Sequence, residues 1–137
     1  MRARQPSAAA RAAPARPLAI LCAEENPYGR VVMNTILCEL GHRVDFVETG
    51  EAVVKAAERG GYDAVLMDIT LSGLDGIEAT GRIRVLPGKA GKLPVIEISG
   101  RTESGDENAA RAAGMNFYFS KSVSSGKLAQ ALATAAG

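Results

Sequence analysis

Residues 64–80 read Ala-Val-Leu-Met-Asp-Ile-Thr-Leu-Ser-Gly-Leu-Asp-Gly-Ile-Glu-Ala-Thr, and they carry the pattern on which the rest of the chain is built. Ala64–Met67 is a short unbroken apolar run, as a strand buried on both faces requires. It ends in Asp68. Beyond it, Asp75–Gly76 precedes a stretch with Ile77, Thr80 and Ile83 or Arg84 at helical intervals. One strand, one polar residue at its carboxyl end and one helix make a β-α unit.

The unit recurs on both sides. Further apolar runs lie at Leu18–Ala23, Val44–Val47, Val95–Ile98 and Asn116–Phe119. Asn26-Pro27 is an N-cap and first-turn signal for a helix with Val32, Ile36 and Leu40 on one face, stopping at Gly41. Thr49–Gly50 opens another with Val53, Val54 and Ala57 on one side, closed by Gly60–Gly61. Ser104 and Glu107 have the S-x-x-E spacing of a capping box for a helix ending at Gly114. The last helix runs from about Ser125, with Leu128, Leu132 and Ala135 aligned. Residues 87–93, Pro-Gly-Lys-Ala-Gly-Lys-Leu, read as a flexible connection. Five β-α units in succession predict an α/β domain, a five-stranded parallel sheet with helices on both faces and right-handed crossovers.

Composition agrees with one such domain. The 137 residues are 47% hydrophobic and 23% charged, enough apolar content for a core. The formal net charge of +1 excludes a strongly basic nucleic-acid binder. That average hides an asymmetry: residues 1–17 hold Arg2, Arg4, Arg11 and Arg16 and no acid, whereas the remaining 120 carry 12 Lys+Arg against 15 Asp+Glu. Residues 1–17 read as a disordered basic leader or linker, and 18–137 as the working domain. No apolar run is long enough for a membrane span, so no membrane contact is expected of this domain. Two cysteines, Cys22 and Cys38, are too few for a disulfide framework and sit in apolar runs as small hydrophobes. A cytoplasmic setting follows as the default.

In open α/β sheets, ligands bind beyond the carboxyl ends of the strands. The residues found there are Glu24–Glu25, Asp68, Ser99–Gly100 and Ser120–Lys121. Three carboxylates on one rim repel one another and call for a cation. Oxygen-only ligands select a hard divalent ion, Mg2+ above others. Lys121 and Ser99 could then hold a phosphoryl group's remaining oxygens, with Asp68 as an acyl-phosphate nucleophile. Taken singly, each has a blander reading: Asp68 a turn residue, Glu24–Glu25 solvated acids, Lys121 a surface lysine, Tyr118 a half-buried aromatic. Their coincidence at one end of the strands favours the functional reading.

At these residues the chain resembles the receiver domain of two-component response regulators, most of all the receivers attached to hybrid sensor histidine kinases. The resemblance covers about residues 18–136. It rests on Cys22-Ala-Glu-Glu-Asn-Pro, on the segment from Leu66 to Thr80, on Pro94-Val-Ile-Glu-Ile-Ser-Gly and on Tyr118-Phe-Ser-Lys. It implies a flavodoxin-like strand order 2-1-3-4-5, with Asp68 as phosphoacceptor and Glu24, Glu25 and Asp68 as the Mg2+ pocket. Ser99 and Lys121 pair with the phosphoryl group, and Ser99 and Tyr118 are the switch residues. It implies a histidine kinase or histidine phosphotransfer protein as partner, and dimerisation through the face of the fourth helix, fifth strand and fifth helix. Such a protein catalyses at most its own phosphorylation and dephosphorylation.

The chain departs from the family's usual pattern in several places. Both pocket acids are Glu, each one methylene longer than Asp. Ser72 and Ser122 stand where Pro is usual, which predicts a trans Lys121–Ser122 bond. Glu97 puts a carboxyl in the fourth strand, where it needs a partner or a proton, Arg101 being a candidate neighbour. These departures define the alternative, a degenerate pseudo-receiver that binds partners without phosphorylation. Other classes fit less well. Thr70 stands where an aspartate-based phosphatase carries its acid/base. Ser125-Gly-Lys-Leu lacks the first Gly and the Ser/Thr of a P-loop. The acidic rim is wrong for a flavin phosphate, and no interleaved aromatics accompany the leader arginines, so direct nucleic-acid binding is not expected.

Overall fold

Strand formation follows the apolar runs to within a residue or two. In the computed structural model, which describes residues 17–68, 71, 73–99, 104–120 and 124–136, the strands are β1 (Ala19–Ala23), β2 (Arg43–Val47), β3 (Ala64–Met67), β4 (Val95–Ser99) and β5 (Phe117–Ser120). The helices are α1 (Pro27–Glu39), α2 (Gly50–Arg59), α3 (Gly76–Arg84), α4 (Ser104–Ala113) and α5 (Ser125–Ala136). All strand pairs are parallel and the order is β2-β1-β3-β4-β5. Residues 1–16 of the leader, Thr70, Ser72, Arg101, Lys121 and Ser122 lie outside the described residues.

The N-caps read from sequence hold their helices. Asn26 Oδ1 accepts from the Tyr28 N–H at 2.8 Å, Thr49 Oγ1 from Ala52 at 3.1 Å, and Asp75 Oδ1 from Glu78 at 2.8 Å. Each such cap contributes about 1 kcal/mol. Helix α4 begins at Ser104 itself, and Glu107 Oε2 accepts from Arg111 Nε at 3.4 Å; the side chain of Ser104 is outside the described set.

Alternation along the strands builds two core layers. Ile20, Cys22, Ala64, Leu66, Ile96 and Ile98 face α1 and α5, where Met33, Leu37, Leu128 and Leu132 cover them. Leu21, Ala23, Val65, Met67 and Val95 face Val53, Ala57, Ala79, Ile83 and Ala110 of α2, α3 and α4. All four residues of β3 are buried, whereas all four of β5 are only half-buried. Burying one such leucine or isoleucine stabilises by about 1.5–3 kcal/mol.

Three sequence expectations are corrected. The buried stripe of α1 is Met33, Leu37 and Leu40; Val32 is exposed and Ile36 half-buried. The run from Val31 to Leu40 offers two stripes at 3.6-residue spacing, and packing against β1 and β3 selects the one centred on Leu37. Residues 87–93 are not a loose tether: Gly88–Lys92 form a 3-10 helix, and Arg84 Nη1 donates to the carbonyls of Gly91 at 3.2 Å and Leu93 at 2.7 Å. Cys22 is buried but Cys38 is exposed, its thiol 3.5 Å from Asn34 Oδ1.

Candidate functional site

Strand order reverses between β1 and β3, so the crossovers leaving these two strands pass to opposite faces and open a crevice at their carboxyl ends. Register then decides what stands there. Ala23 pairs with Met67, the last residues of their strands. The next residues are Glu24 and Asp68. The Asp68 N–H donates to the Ala23 carbonyl at 3.2 Å, and the Glu24 N–H to the Val47 carbonyl at 3.0 Å. Both backbones are therefore fixed at the sheet edge.

Both side chains are 6% exposed and line one pocket of about 180 Å3, with Cys22, Gly29, Met33, Leu66 and Ile98 among its apolar walls. Tyr28 and Val32 of α1 also line it, and both are exposed. Glu24 Oε2 accepts from the Asn26 N–H at 3.2 Å, which ties the carboxylate to the first turn of α1. Arg30 Nη1 lies 3.5 Å from the Glu24 carbonyl and 2.6 Å from Glu48 Oε1.

Glu25, the next residue, is exposed and is not among the residues lining this pocket. Among the described residues no three His, Cys, Asp or Glu side chains enclose a metal site. Two buried carboxylates with all-oxygen donors nevertheless suit Mg2+, which binds through one or two carboxylates and keeps several waters. Ser99 is the last residue of β4, paired with Ser120 of β5; its side chain and the whole of Lys121 are outside the described residues. Tyr118 lies inside β5, half-buried, packed against the α2–α4 layer. Its hydroxyl is buried with no hydrogen-bond partner among the described residues. Glu97 is fully buried in β4, in register with Met67 and Tyr118.

The loop after Asp68 is shaped by residues that sequence reasoning missed. Leu71 and Leu74 are buried, and Glu51 Oε1 accepts from the Leu74 N–H at 3.1 Å. Gly50 begins α2 against the Leu74 backbone, where a Cβ would overlap the carbonyl. Glu51 is a surface-type acid in a helix first turn, and the only sequence signal for it is the glycine before it.

Comparison with known proteins agrees with this layout. Residues 20–133 match the family model for the response regulator receiver domain. The chain is 32% identical over 113 residues to the sensor protein GacS of Pseudomonas syringae, and 26% identical over 111 residues to the histidine-protein kinase BarA of Escherichia coli. Each match covers 81% of this chain but 12% of the kinase, so the chain spans a small part of these relatives. Among solved structures, the receiver domain of sensor histidine kinase PA1611 from Pseudomonas aeruginosa PAO1 superposes with a TM-score of 0.82 at 36% identity. That match covers 89% of this chain and 99% of the neighbour, which holds a magnesium ion in its active-site cleft.

Proposed function

Because the chain belongs to the response regulator receiver domain family, we propose that it accepts a phosphoryl group from a phosphohistidine onto Asp68 and so switches a partner-binding face. The observation that carries this reading is the burial of Asp68 and Glu24 side by side where the strand order reverses. Two carboxylates are costly to bury together, and a site that recruits a cation and a phosphoryl group repays that cost.

Asp68 is the nucleophile. Its carboxylate oxygen attacks phosphorus in line with the departing imidazole nitrogen; a P–O bond forms, the P–N bond breaks, and the imidazole leaves with a proton from solvent. Asp68 is held for this by its backbone bond to Ala23. Glu24, Glu25 and Asp68 would hold Mg2+, which when bound neutralises charge on the transferring group. Ser99 and Lys121 supply a hydroxyl and an ammonium to the remaining phosphoryl oxygens. The exposed Tyr28 and Val32 of the pocket lining support a protein donor, a histidine kinase or a histidine phosphotransfer protein. Tyr118 supports the switch role: a buried hydroxyl lacking a partner costs about 1–3 kcal/mol, and a conformation that gives it one recovers that cost.

Incubation with acetyl phosphate and Mg2+, read by intact mass, tests the proposal. One phosphoryl adduct is expected, absent in Asp68→Ala. Absence of any adduct with acetyl phosphate and with a phosphohistidine donor would leave the pseudo-receiver reading in its place.

A further inference from the structure

Gly29 sits in the first turn of α1, and its backbone does not require glycine. It is not among the residues with positive φ. A helical glycine costs stability relative to alanine, and at Gly29 the surrounding space accounts for it. A Cβ built at Gly29 would overlap Glu24 Oε1, with Glu24 Cδ at 2.6 Å and Cγ at 2.9 Å. Helical Gly81 and Gly126 make a contrast: a Cβ at either meets nothing within 4 Å.

The obstructing atoms at Gly29 are the far half of one side chain, not backbone. An added methyl group therefore has one way to be accommodated, by moving Glu24. The same carboxylate is tethered on its other oxygen by the Asn26 N–H. The missing methyl leaves room for the Glu24 side chain to fold over Gly29, and the amide helps hold it there, beside the pocket it shares with Asp68. An aspartate, shorter by one methylene, would not reach as far over the helix.

We infer that Gly29 is a positioning residue for the Glu24 carboxylate, its absent side chain being the space that lets a glutamate serve in the cation pocket beside Asp68. The inference rests on the proposed Mg2+ role of Glu24, and its geometric half can be read without the metal.

Four variants of the whole chain decide it: Gly29→Ala, Gly81→Ala, Glu24→Asp, and Glu24→Asp combined with Gly29→Ala. Mg2+ is titrated by calorimetry, and hydrogen exchange is followed at the Asn26 amide. Gly29→Ala is expected to weaken Mg2+ binding about tenfold or more while leaving Tm unchanged or raised by about 3 °C, and to speed exchange at Asn26 about tenfold. Gly81→Ala raises Tm without moving either readout. In the Glu24→Asp background, adding Gly29→Ala changes Mg2+ affinity less than about threefold. Equal Mg2+ affinity and equal Asn26 exchange in Gly29→Ala and the parent would overturn the inference, as would an undiminished loss of affinity in the Glu24→Asp background. If the parent takes up no Mg2+, the function reading fails, and Asn26 exchange alone still decides the positioning role.

Discussion

The two edges of the sheet use polar side chains in opposite ways. At the amino edge, single polar residues stand immediately before strands and are spent on backbone. His42, before β2, accepts at Nδ1 from the Leu18 N–H at 3.0 Å; Asp63, before β3, accepts from Ala19 at 2.8 Å; Asn116, before β5, accepts from Val95 at 2.9 Å. Arg84 closes this edge, donating to the carbonyls of Gly114, Gly91 and Leu93 and to Asn116 Oδ1. At the carboxyl edge, Glu24 and Asp68 follow their strands and face a pocket. One edge ties the chain together; at the other two carboxylates line a pocket.

Substitutions should therefore separate, chemistry without stability at one edge and stability without chemistry at the other. Asp68→Asn is expected to abolish the phosphoryl adduct while unfolding free energy changes by less than about 1 kcal/mol or rises, because one of two adjacent carboxylates is neutralised. A large loss of stability there would break the contrast. Arg84→Met should cost about 3 kcal/mol by leaving carbonyls unsatisfied, measured by urea unfolding, with Mg2+ affinity unchanged. Asn116→Ala, which removes the acceptor for Val95 and for Arg84, should cost about 1.5 kcal/mol, again without touching Mg2+ affinity.

The smallest effect is a pH dependence at His42. Burial lowers its pKa below the usual 6.5, and Asp63 opposes that only in part. The Leu18 bond requires an unprotonated Nδ1. The unfolded chain therefore binds the proton more readily than the folded one. The contribution of His42 is complete above about pH 6.5 and is lost as pH falls below it, with a limiting slope of about 1.4 kcal/mol per pH unit. Unfolding measured between about pH 7.5 and 5.5 should show this decline, and His42→Gln should flatten it.

The carboxyl edge was the more legible of the two. Its residues follow apolar runs, so asking what comes after each strand finds Glu24 and Asp68. The amino-edge residues stand one position before their observed strands, and nothing in their type separates them from loop residues. His42, Asp63 and Asn116 acquire their roles only once strand neighbours are known, because each bonds a strand other than its own. Arg84 looked like one of two candidates for the inner face of α3. Ile83 is buried there, while Arg84 turns to the edge and orders the segment taken for a tether. The α1 stripe was misplaced by one residue for a related reason: local spacing permits both choices, and only the strands beneath decide. Gly29 left no signal at all, since its significance is the position of another residue's side chain.

The contrast in burial between β3 and β5 has a consequence for where opening energy resides. Asp68 is attached to a central strand whose four residues are all buried and whose ladder continues through its own amide. Tyr118 lies on an edge strand that is half-buried throughout and paired on one side. Local opening of an edge costs a fraction of global unfolding, whereas a central strand opens only with the whole domain. In a hydrogen-exchange experiment the β3 amides should report the full unfolding free energy and the β5 amides a smaller, separate one. The proposed acceptor thus belongs to the part of the molecule that opens last and Tyr118 to a part that opens earlier, so a change centred on β5 would leave the scaffold of Asp68 intact.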